Sequence, residues 1–316
     1  MAKRGTSGIH CLIAVDKPQG CTSHDVVARV RRALGERRVG HAGTLDPAAT
    51  GVMILGIGQA TRLLGKLTLD TKSYVARIAF GAETSTDDAE GEVIREEPVP
   101  EELLDERFAR AALERFRGDS LQVPPSFSAI SVNGVRAYKA ARAGESVELA
   151  ARPVTVHSAE LLEAGSVDGR TVWTVAFTVS KGTYIRALAR DIGRAVGSAA
   201  HLEGLRRTAS GSVGLARCCA LEGLSPEKVA ESMLDPVSCL GVPRIDLSRE
   251  FLDDIRCGRA IPRRRVACAL GADSSEEGVG VPVALVVDGA LAALALATPD
   301  RILMKDVFPD GIKGVA

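Results

Sequence analysis

The run Gly40-His41-Ala42-Gly43-Thr44-Leu45-Asp46-Pro47-Ala48-Ala49-Thr50-Gly51 brings a histidine, a carboxylate and three glycines together within twelve residues. A carboxylate can accept a proton or attack carbon, and an imidazole can stack as well as hydrogen-bond. Glycines on both sides allow a ligand to come close to the backbone. Two readings of the run stand side by side. In one it is an Asx-type turn, with Asp46 capping and Pro47 fixing φ. In the other it is a site, because a polar loop holding His41, Thr44 and Asp46 lies among positive charge.

Other chemistries find less support. The five histidines (10, 24, 41, 157 and 201) fall at no ligand spacing, so no metal site is expected. No G-x-S-x-G elbow occurs, which removes the common hydrolase pattern. Gly56-Ile57-Gly58-Gln59-Ala60-Thr61 resembles a dinucleotide loop, but Thr61 stands where the third glycine belongs; a tight strand-to-helix turn is the better reading. Gly65-Lys66-Leu67 lacks the hydroxyl that a phosphate loop offers to Mg²⁺. No nucleotide cofactor is therefore expected. The seven cysteines (11, 21, 218, 219, 239, 257 and 268) include no C-x-x-C pair and read as reduced, mostly buried thiols. With no signal-peptide core and no run of about 18 apolar residues, a soluble cytoplasmic protein without membrane attachment is expected.

Several elements must position the loop. Cys11 to Val15 reads as a buried strand closed by the Lys17-Pro18-Gln19-Gly20 turn. Thr22 or Ser23 can cap a helix to about Leu34, with Val26, Val27, Val30 and Leu34 on one face. Gly51 to Gly58 and Tyr74 to Phe80 read as strands, as does Thr171 to Val179, which holds the only tryptophan. A helix from about Thr183 to Val196 buries Ile185, Leu188, Ala189, Ile192 and Val196 and turns Arg186, Arg190 and Arg194 to another face. Ala290 to Ala297 follows an Asp288-Gly289 turn as the second strand of a hairpin. A domain boundary is expected near 240–248.

The 316 residues carry 46% hydrophobic and 25% charged side chains, so a globular chain of about two domains is expected. Forty Lys and Arg balance forty Asp and Glu, yet the charge is segregated. Residues 83–106 hold eleven acids and one arginine, and read as a solvated loop leading into a helix from Glu101 to about Phe116. Residues 25–40 carry a net +3, residues 181–207 a net +4, and residues 256–265 five arginines without an acid. Such patches suit a phosphate backbone, although charged helix faces are often only solvated.

The Gly40 to Gly51 run resembles the catalytic motif of the tRNA pseudouridine synthase B family. Val15-Asp16-Lys17-Pro18-Gln19-Gly20, Lys72-Ser73-Tyr74, Gln122-Val123-Pro124-Pro125 through Ser128-Ala129, and Arg136-Ala137-Tyr138 are similar to further family segments in the same order. Ser180-Lys181-Gly182-Thr183-Tyr184-Ile185-Arg186 and Leu205-Arg206-Arg207 complete the set, so the resemblance covers about residues 9–215. Two positions depart from it: Ser131 stands where the family often has Lys, and Phe127 where many members have Tyr.

The resemblance implies an α+β (mixed α/β) fold, with a largely antiparallel central sheet and flanking helices over residues 9–243. A small, mostly β, PUA-like RNA-binding domain would follow at 244–316. It implies isomerisation of uridine to pseudouridine at position 55 in the T loop of tRNA, with tRNA as partner, no cofactor or metal, and a monomer. Asp46 would be the acting carboxylate, as a nucleophile or as a base toward the 2′-proton. Arg186 would pair with it, and Tyr74 would lie against the target base. His41 would brace the space left by the everted nucleotide. Tyr184 would help close the pocket and Leu205 would floor it, with Gly43, Thr44, Lys17 and Arg206 also touching substrate. The Arg29–Arg38 face, the Arg186–Arg194 stripe and the Arg206-Arg207 pair would hold the RNA stem, and the acidic segment would face away. A non-catalytic RNA-binding protein on the same scaffold is the rival reading.

Overall fold

The structure, a computed structural model, describes residues 7–67, 71–127, 131–132, 135–136, 149–266 and 280–316. Ser128, Ala129, Ala137, Tyr138, Cys268 and all but the last residue of the 271–280 loop lie outside the described residues. The chain divides into two compact units, Met1–Pro47 with Val52–Leu69 and Gly211–Ala316, and Ala48–Gly51 with Asp70–Ser210.

The first unit opens on strand β1 (Cys11–Lys17), whose first five side chains are buried. Helix α1 (Ser23–Leu34) starts where expected because Thr22 and Asp25 form a reciprocal capping box. It stops at Gly35, which takes the left-handed conformation at φ 60° that a C-terminal cap requires. Val26, Val27, Val30 and Leu34 are buried, as the periodicity predicts. Strand β2 (Val39–Ala42) runs antiparallel to β3 (Thr50–Ile57), with His41 opposite Leu55. After β3 the chain turns through a short 3₁₀ segment, and a Cβ on Gly56 would sit 2.8 Å from the Ala60 carbonyl oxygen. Close backbone packing explains Gly56 here, as the turn reading holds.

The second unit is built on strand β4 (Lys72–Phe80). Helix α2 (Glu106–Glu114), strands β5 (Gly118–Gln122), β6 (Arg152–Val167) and β7 (Arg170–Val179), helix α3 (Ile185–Ala195) and strand β8 (Ala200–Ser210) follow. The strand order β8-β4-β7-β6-β5 is antiparallel throughout. The helices close one face over a core that includes Ile78, Trp173, Val175, Phe177, Leu188 and Ile192. Trp173 is fully buried, donates its indole N–H to the Leu103 carbonyl at 2.7 Å and meets Phe80 edge-on. Thr50 and Gly51 pair in parallel with Arg206 and Arg207. Gly51 is held at φ 108°, and a Cβ there would collide with the Arg207 backbone.

The acidic segment departs in part from expectation. Most of its acids are exposed as expected, but it forms a short hairpin, Ala82–Thr84 with Val93–Glu96, and Glu83, Thr84 and Asp87 are buried. A 3₁₀ turn over Glu101–Leu104 then precedes α2, so the predicted single helix is broken at Asp105, which caps α2 instead. The reason is the arginine stripe of α3. Arg186 pairs with Asp88 at 3.3 Å, Arg190 with Asp87 at 2.8 Å and Arg194 with Glu83 at 2.6 Å. Arginines one turn apart thus gather acids that neighbour one another in sequence, and the pairing lets both sides leave water. The Arg194 guanidinium holds the Glu83 carboxyl below the usual range, against the opposing effect of burial. At Asp87 burial prevails over Arg190 and pushes the carboxyl upward.

The first unit resumes at Gly211 and from Arg244 carries strands β9 (Arg244–Leu247), β10 (Val281–Val287), β11 (Ala290–Ala297) and β12 (Arg301–Ile312). They form a five-stranded sheet with Ile261–Pro262 at its edge. Its hairpin turn places Asp288 and Gly289 at φ 51° and 69°, as a two-residue turn of this hand needs. The sheet packs on the N-terminal strands' side of the unit, where Asp306 pairs with Arg62 at 3.0 Å and Lys66 at 3.1 Å. Among the described cysteines only Cys11 and Cys21 are buried; Cys218, Cys219 and Cys239 are partly exposed and Cys257 is exposed, fewer buried than expected. Burial pushes the Cys11 thiol up to about 12.

Two stability measurements follow from this packing. Gly51→Ala should cost about 3 kcal/mol in denaturant unfolding, because strain at positive φ adds to a backbone clash. An unshifted midpoint would show that the strand relaxes. Glu83→Gln should cost about 2 kcal/mol at pH 7, below the usual figure for a broken buried pair because Arg194 keeps half its side chain exposed. A carboxyl depressed in the folded state stabilises above its unfolded value and loses that effect as pH falls through its folded value. The gap between wild type and Glu83→Gln should therefore narrow below about pH 4, and a gap constant with pH would exclude an ionic origin.

Candidate active site

The loop carrying Asp46 is held on both sides of that residue. Ser23, the first residue of α1, is 1% exposed. Its hydroxyl accepts from the Leu45 N–H at 2.9 Å and donates to the Leu45 carbonyl at 3.0 Å. The Pro47 carbonyl accepts from the Gly20 N–H at 3.0 Å and from the Lys17 ammonium at 3.2 Å. Lys17 also donates to the Pro18 carbonyl at 2.9 Å and is completely buried. Leu45 is buried, Asp46 half-buried and Thr44 exposed. Gly43, at φ 78°, makes the bend that leads from β2 into this loop. The two peptides flanking Asp46 are thereby fixed.

Lys17, expected to touch substrate, is buried and donates to the Pro18 and Pro47 carbonyls, so it supports the loop. His41 is half-buried, and its ring meets that of exposed His24 edge-on at 5.7 Å. The N-terminal turn of α1 thus supports the loop twice, through Ser23 and through His24. Sequence inspection identified Thr22 and Ser23 only as caps; the second use of Ser23 leaves no local signal, since its partner is 22 residues away.

The remaining site residues belong to the second unit. Tyr74 on β4 pairs with Phe177 of β7 and Arg207 of β8, and Leu205 of β8 pairs with Ala76. Tyr74 and Leu205 therefore share a sheet face, both half-buried at the margin of the core beneath α2 and α3. Tyr184 precedes α3 and is fixed by Gln122, whose side-chain amide accepts from its N–H at 2.9 Å and donates to its carbonyl at 3.1 Å. Arg186 is 7% exposed and donates to the Thr86 and Phe127 carbonyls, both at 3.0 Å, besides Asp88. Asp88 is itself oriented by the Thr86 hydroxyl and the Glu90 N–H.

These contacts revise the expected RNA-holding groups. The Arg186–Arg194 stripe is engaged by Asp88, Asp87 and Glu83, and Arg190 keeps only 11% of its side chain exposed. Of the Arg206-Arg207 pair, Arg207 is buried, whereas Arg206 is half-buried and donates to the Thr50 hydroxyl at 3.3 Å. Gln122 and Asp88 were not among the expected site residues. Gln122 opens the Gln122-Val123-Pro124-Pro125 motif, while Asp88 is one acid among eleven in its segment. Among the described residues no cluster of His, Cys, Asp and Glu suits a metal ion, and no helix is long and apolar enough to cross a membrane.

Residues 31–185 match the family model of the TruB family pseudouridylate synthase N-terminal domain, and residues 186–238 that of the tRNA pseudouridylate synthase B C-terminal domain. The tRNA pseudouridine synthase B of Mycobacteroides abscessus is 48% identical over 278 residues, which span 88% of this chain and 92% of that protein. The one from an Arthrobacter species is 46% identical over 295 residues, spanning 93% and 90%. A chain from a Cbf5–Nop10–Gar1 complex superposes with a TM-score of 0.66 at 24% identity, covering 98% of this chain and 88% of its own. Another, from an H/ACA RNP bound to a substrate RNA containing 2′-deoxyuridine, gives 0.65 at 22% identity, covering 95% and 85%. These structural likenesses bear out the α+β fold of the pseudouridine synthases. With family matches that take in both the Asp46 loop and the arginines of α3, and relatives alike over about nine-tenths of its length, this chain belongs to the TruB family of pseudouridylate synthases.

Proposed function

We propose that this protein converts uridine 55 in the T loop of tRNA to pseudouridine, with Asp46 as the group that acts on the nucleoside. The observation that carries this reading is the double restraint on the Asp46 loop, Leu45 by Ser23 and Pro47 by Gly20 and Lys17, with Asp46 half-buried between them. The names of the relatives, tRNA pseudouridine synthase B, support tRNA as substrate.

The reaction breaks the C1′–N1 bond, turns the uracil and joins C1′ to C5. The C5 proton departs and N1 gains one, so no electrons are exchanged and no group is transferred to another molecule. Asp46 would serve either as nucleophile toward C1′ or C6, or as base toward the 2′-proton so that the uracil leaves as a glycal forms. Both roles use the carboxylate form. Arg186 would hold that carboxylate in place, its own position set by Thr86, Asp88 and Phe127. Tyr74 offers a ring for the uracil to stack on, and Leu205, on the same sheet face, an apolar floor. Tyr184, fixed by Gln122, would close the pocket.

A stacked uridine in the T loop must turn out to meet Asp46, at a cost of a few kcal/mol that phosphate contacts and stacking offset. His41 would fill the vacated space, its ring braced by His24. Gly43 and Thr44, at the bend beside it, would receive the sugar–phosphate backbone. Arg206 would take a neighbouring phosphate.

Asp46→Asn should lower kcat at least 10⁴-fold, equivalent to about 5.5 kcal/mol, while T-loop RNA binds within a few-fold of wild type. Tritium release from C5-labelled tRNA, or carbodiimide labelling, reads the product that mass alone does not distinguish. Turnover near the wild-type rate would remove Asp46 from the chemistry, and labelling at a uridine other than 55 would correct the position. Ser23→Ala should lower kcat about 10- to 100-fold with little change in KM, since misplacing a reacting group by about 1 Å costs rate rather than binding. Ser23→Thr, which keeps the hydroxyl, should recover part of the loss. Equal kcat in Ser23→Ala and wild type would show that the Leu45 clamp has no positioning role.

A further inference from the structure

Two arginine-bearing helices look alike in sequence and have different surroundings in the fold. The arginines of α3 each face a carboxylate. Near the end of α1, Arg32 and Arg37 are exposed and form no ion pair with any described residue. Glu36, between them in sequence, forms no ion pair with either. It is 1% exposed, and its oxygens accept from the Ser7 N–H at 2.8 Å, the Ser7 hydroxyl at 3.1 Å and the Arg38 N–H at 2.9 Å. Arg31 is partly tied down through its bond to the Val39 carbonyl at 2.8 Å.

These residues surround a cleft of about 490 Å³, whose remaining walls are the small residues Ala28 and Gly35. Basic residues in a helix's last turn can serve merely to offset the helix dipole. That accounts for Arg31 and Arg32, but not for Arg37 beyond the cap or for a cleft lined by all three arginines. Guanidinium forks match phosphate oxygens in geometry and charge. The cleft also lies on the helix that supports the Asp46 loop. His24 touches His41, and Arg32 is eight residues farther along α1, roughly 12 Å at 1.5 Å per residue.

We propose that the cleft formed by Arg31, Arg32 and Arg37 at the C-terminal end of α1 seats a backbone phosphodiester of the substrate RNA, apart from the flipped nucleoside. The inference rests on the Asp46 loop being the nucleoside site, and it assigns the RNA stem to the outer face of α1 rather than to the arginines of α3. Arg31 is left intact in the test because it also braces Val39.

The double variant Arg32→Glu/Arg37→Glu is compared with Arg107→Glu/Arg115→Glu, an equal charge change on exposed residues of α2 and its end. Fluorescence anisotropy of a labelled T stem-loop RNA, titrated from 50 to 300 mM KCl, gives affinity and salt slope. The α1 variant should bind at least tenfold more weakly at the lowest salt, with a slope shallower by about 1–2. The α2 variant should stay within twofold, and Arg32→Lys/Arg37→Lys should restore most of the affinity. Affinity and slope unchanged in the α1 variant would overturn the proposal. So would equal weakening in the α2 variant, which would indicate a general field effect. Inorganic phosphate bound at submillimolar Kd by wild type and not by the α1 variant would reassign the cleft to a small anion. An active Asp46→Asn variant would sink the nucleoside site without altering these binding curves, so the two failures are separable.

Discussion

A carboxylate on a loop bordered by glycines has little value as a reacting group unless the backbone on either side is immobile, and here two donors recessed from solvent supply that restraint. Ser23 and Lys17 are both almost wholly inaccessible, and each binds the main chain next to Asp46. Each hydrogen bond contributes only about 1 kcal/mol net, but removing one leaves a buried polar group unsatisfied, which costs more. The restraint depends in turn on the capping box that fixes the first turn of α1, so a local helix signal and the geometry of the loop are coupled through a single residue, Ser23.

The charge distribution follows a similar logic of paired burial. Packing α3 against the sheet takes Arg186 and most of Arg190 out of water, which would be prohibitive without counter-charges. The segment from Glu83 to Asp88 supplies them, and the three pairs bind an irregular stretch of chain to a regular helix. A zero net charge therefore hides two populations of arginine. Those of α3 are each paired with a carboxylate, whereas Arg32 and Arg37 of α1 lack a carboxylate partner among the described residues. The second kind leaves a positive field in solvent for a polyanion.

Much of the fold was legible in local pattern. The start and stop of α1, the strand at Thr50–Ile57, the apolar stripe of α3 and the Asp288-Gly289 hairpin each depend on residues a few positions apart, and each is where periodicity and capping chemistry put it. The Asp46 loop stood out for the same reason, because its residues are contiguous. The first part of the acidic segment, Glu83 to Asp88, was misread because composition reports polarity but not partners. Eleven acids suggest solvent, and nothing nearby in sequence signals that Arg190 and Arg194 lie 103 and 111 residues away waiting to pair.

The sequence by itself thus determined α1, the strand at Thr50–Ile57, the apolar stripe of α3, the Asp288-Gly289 hairpin and the family. Tertiary structure alone decided that Lys17 supports the loop, that Ser23 clamps Leu45, and that one arginine stripe is paired with carboxylates while another stays exposed. The physical reason is range. Helix caps, turns and periodic burial are set by neighbours along the chain, whereas whether a charge is buried and paired depends on groups that only folding brings within about 3 Å of it.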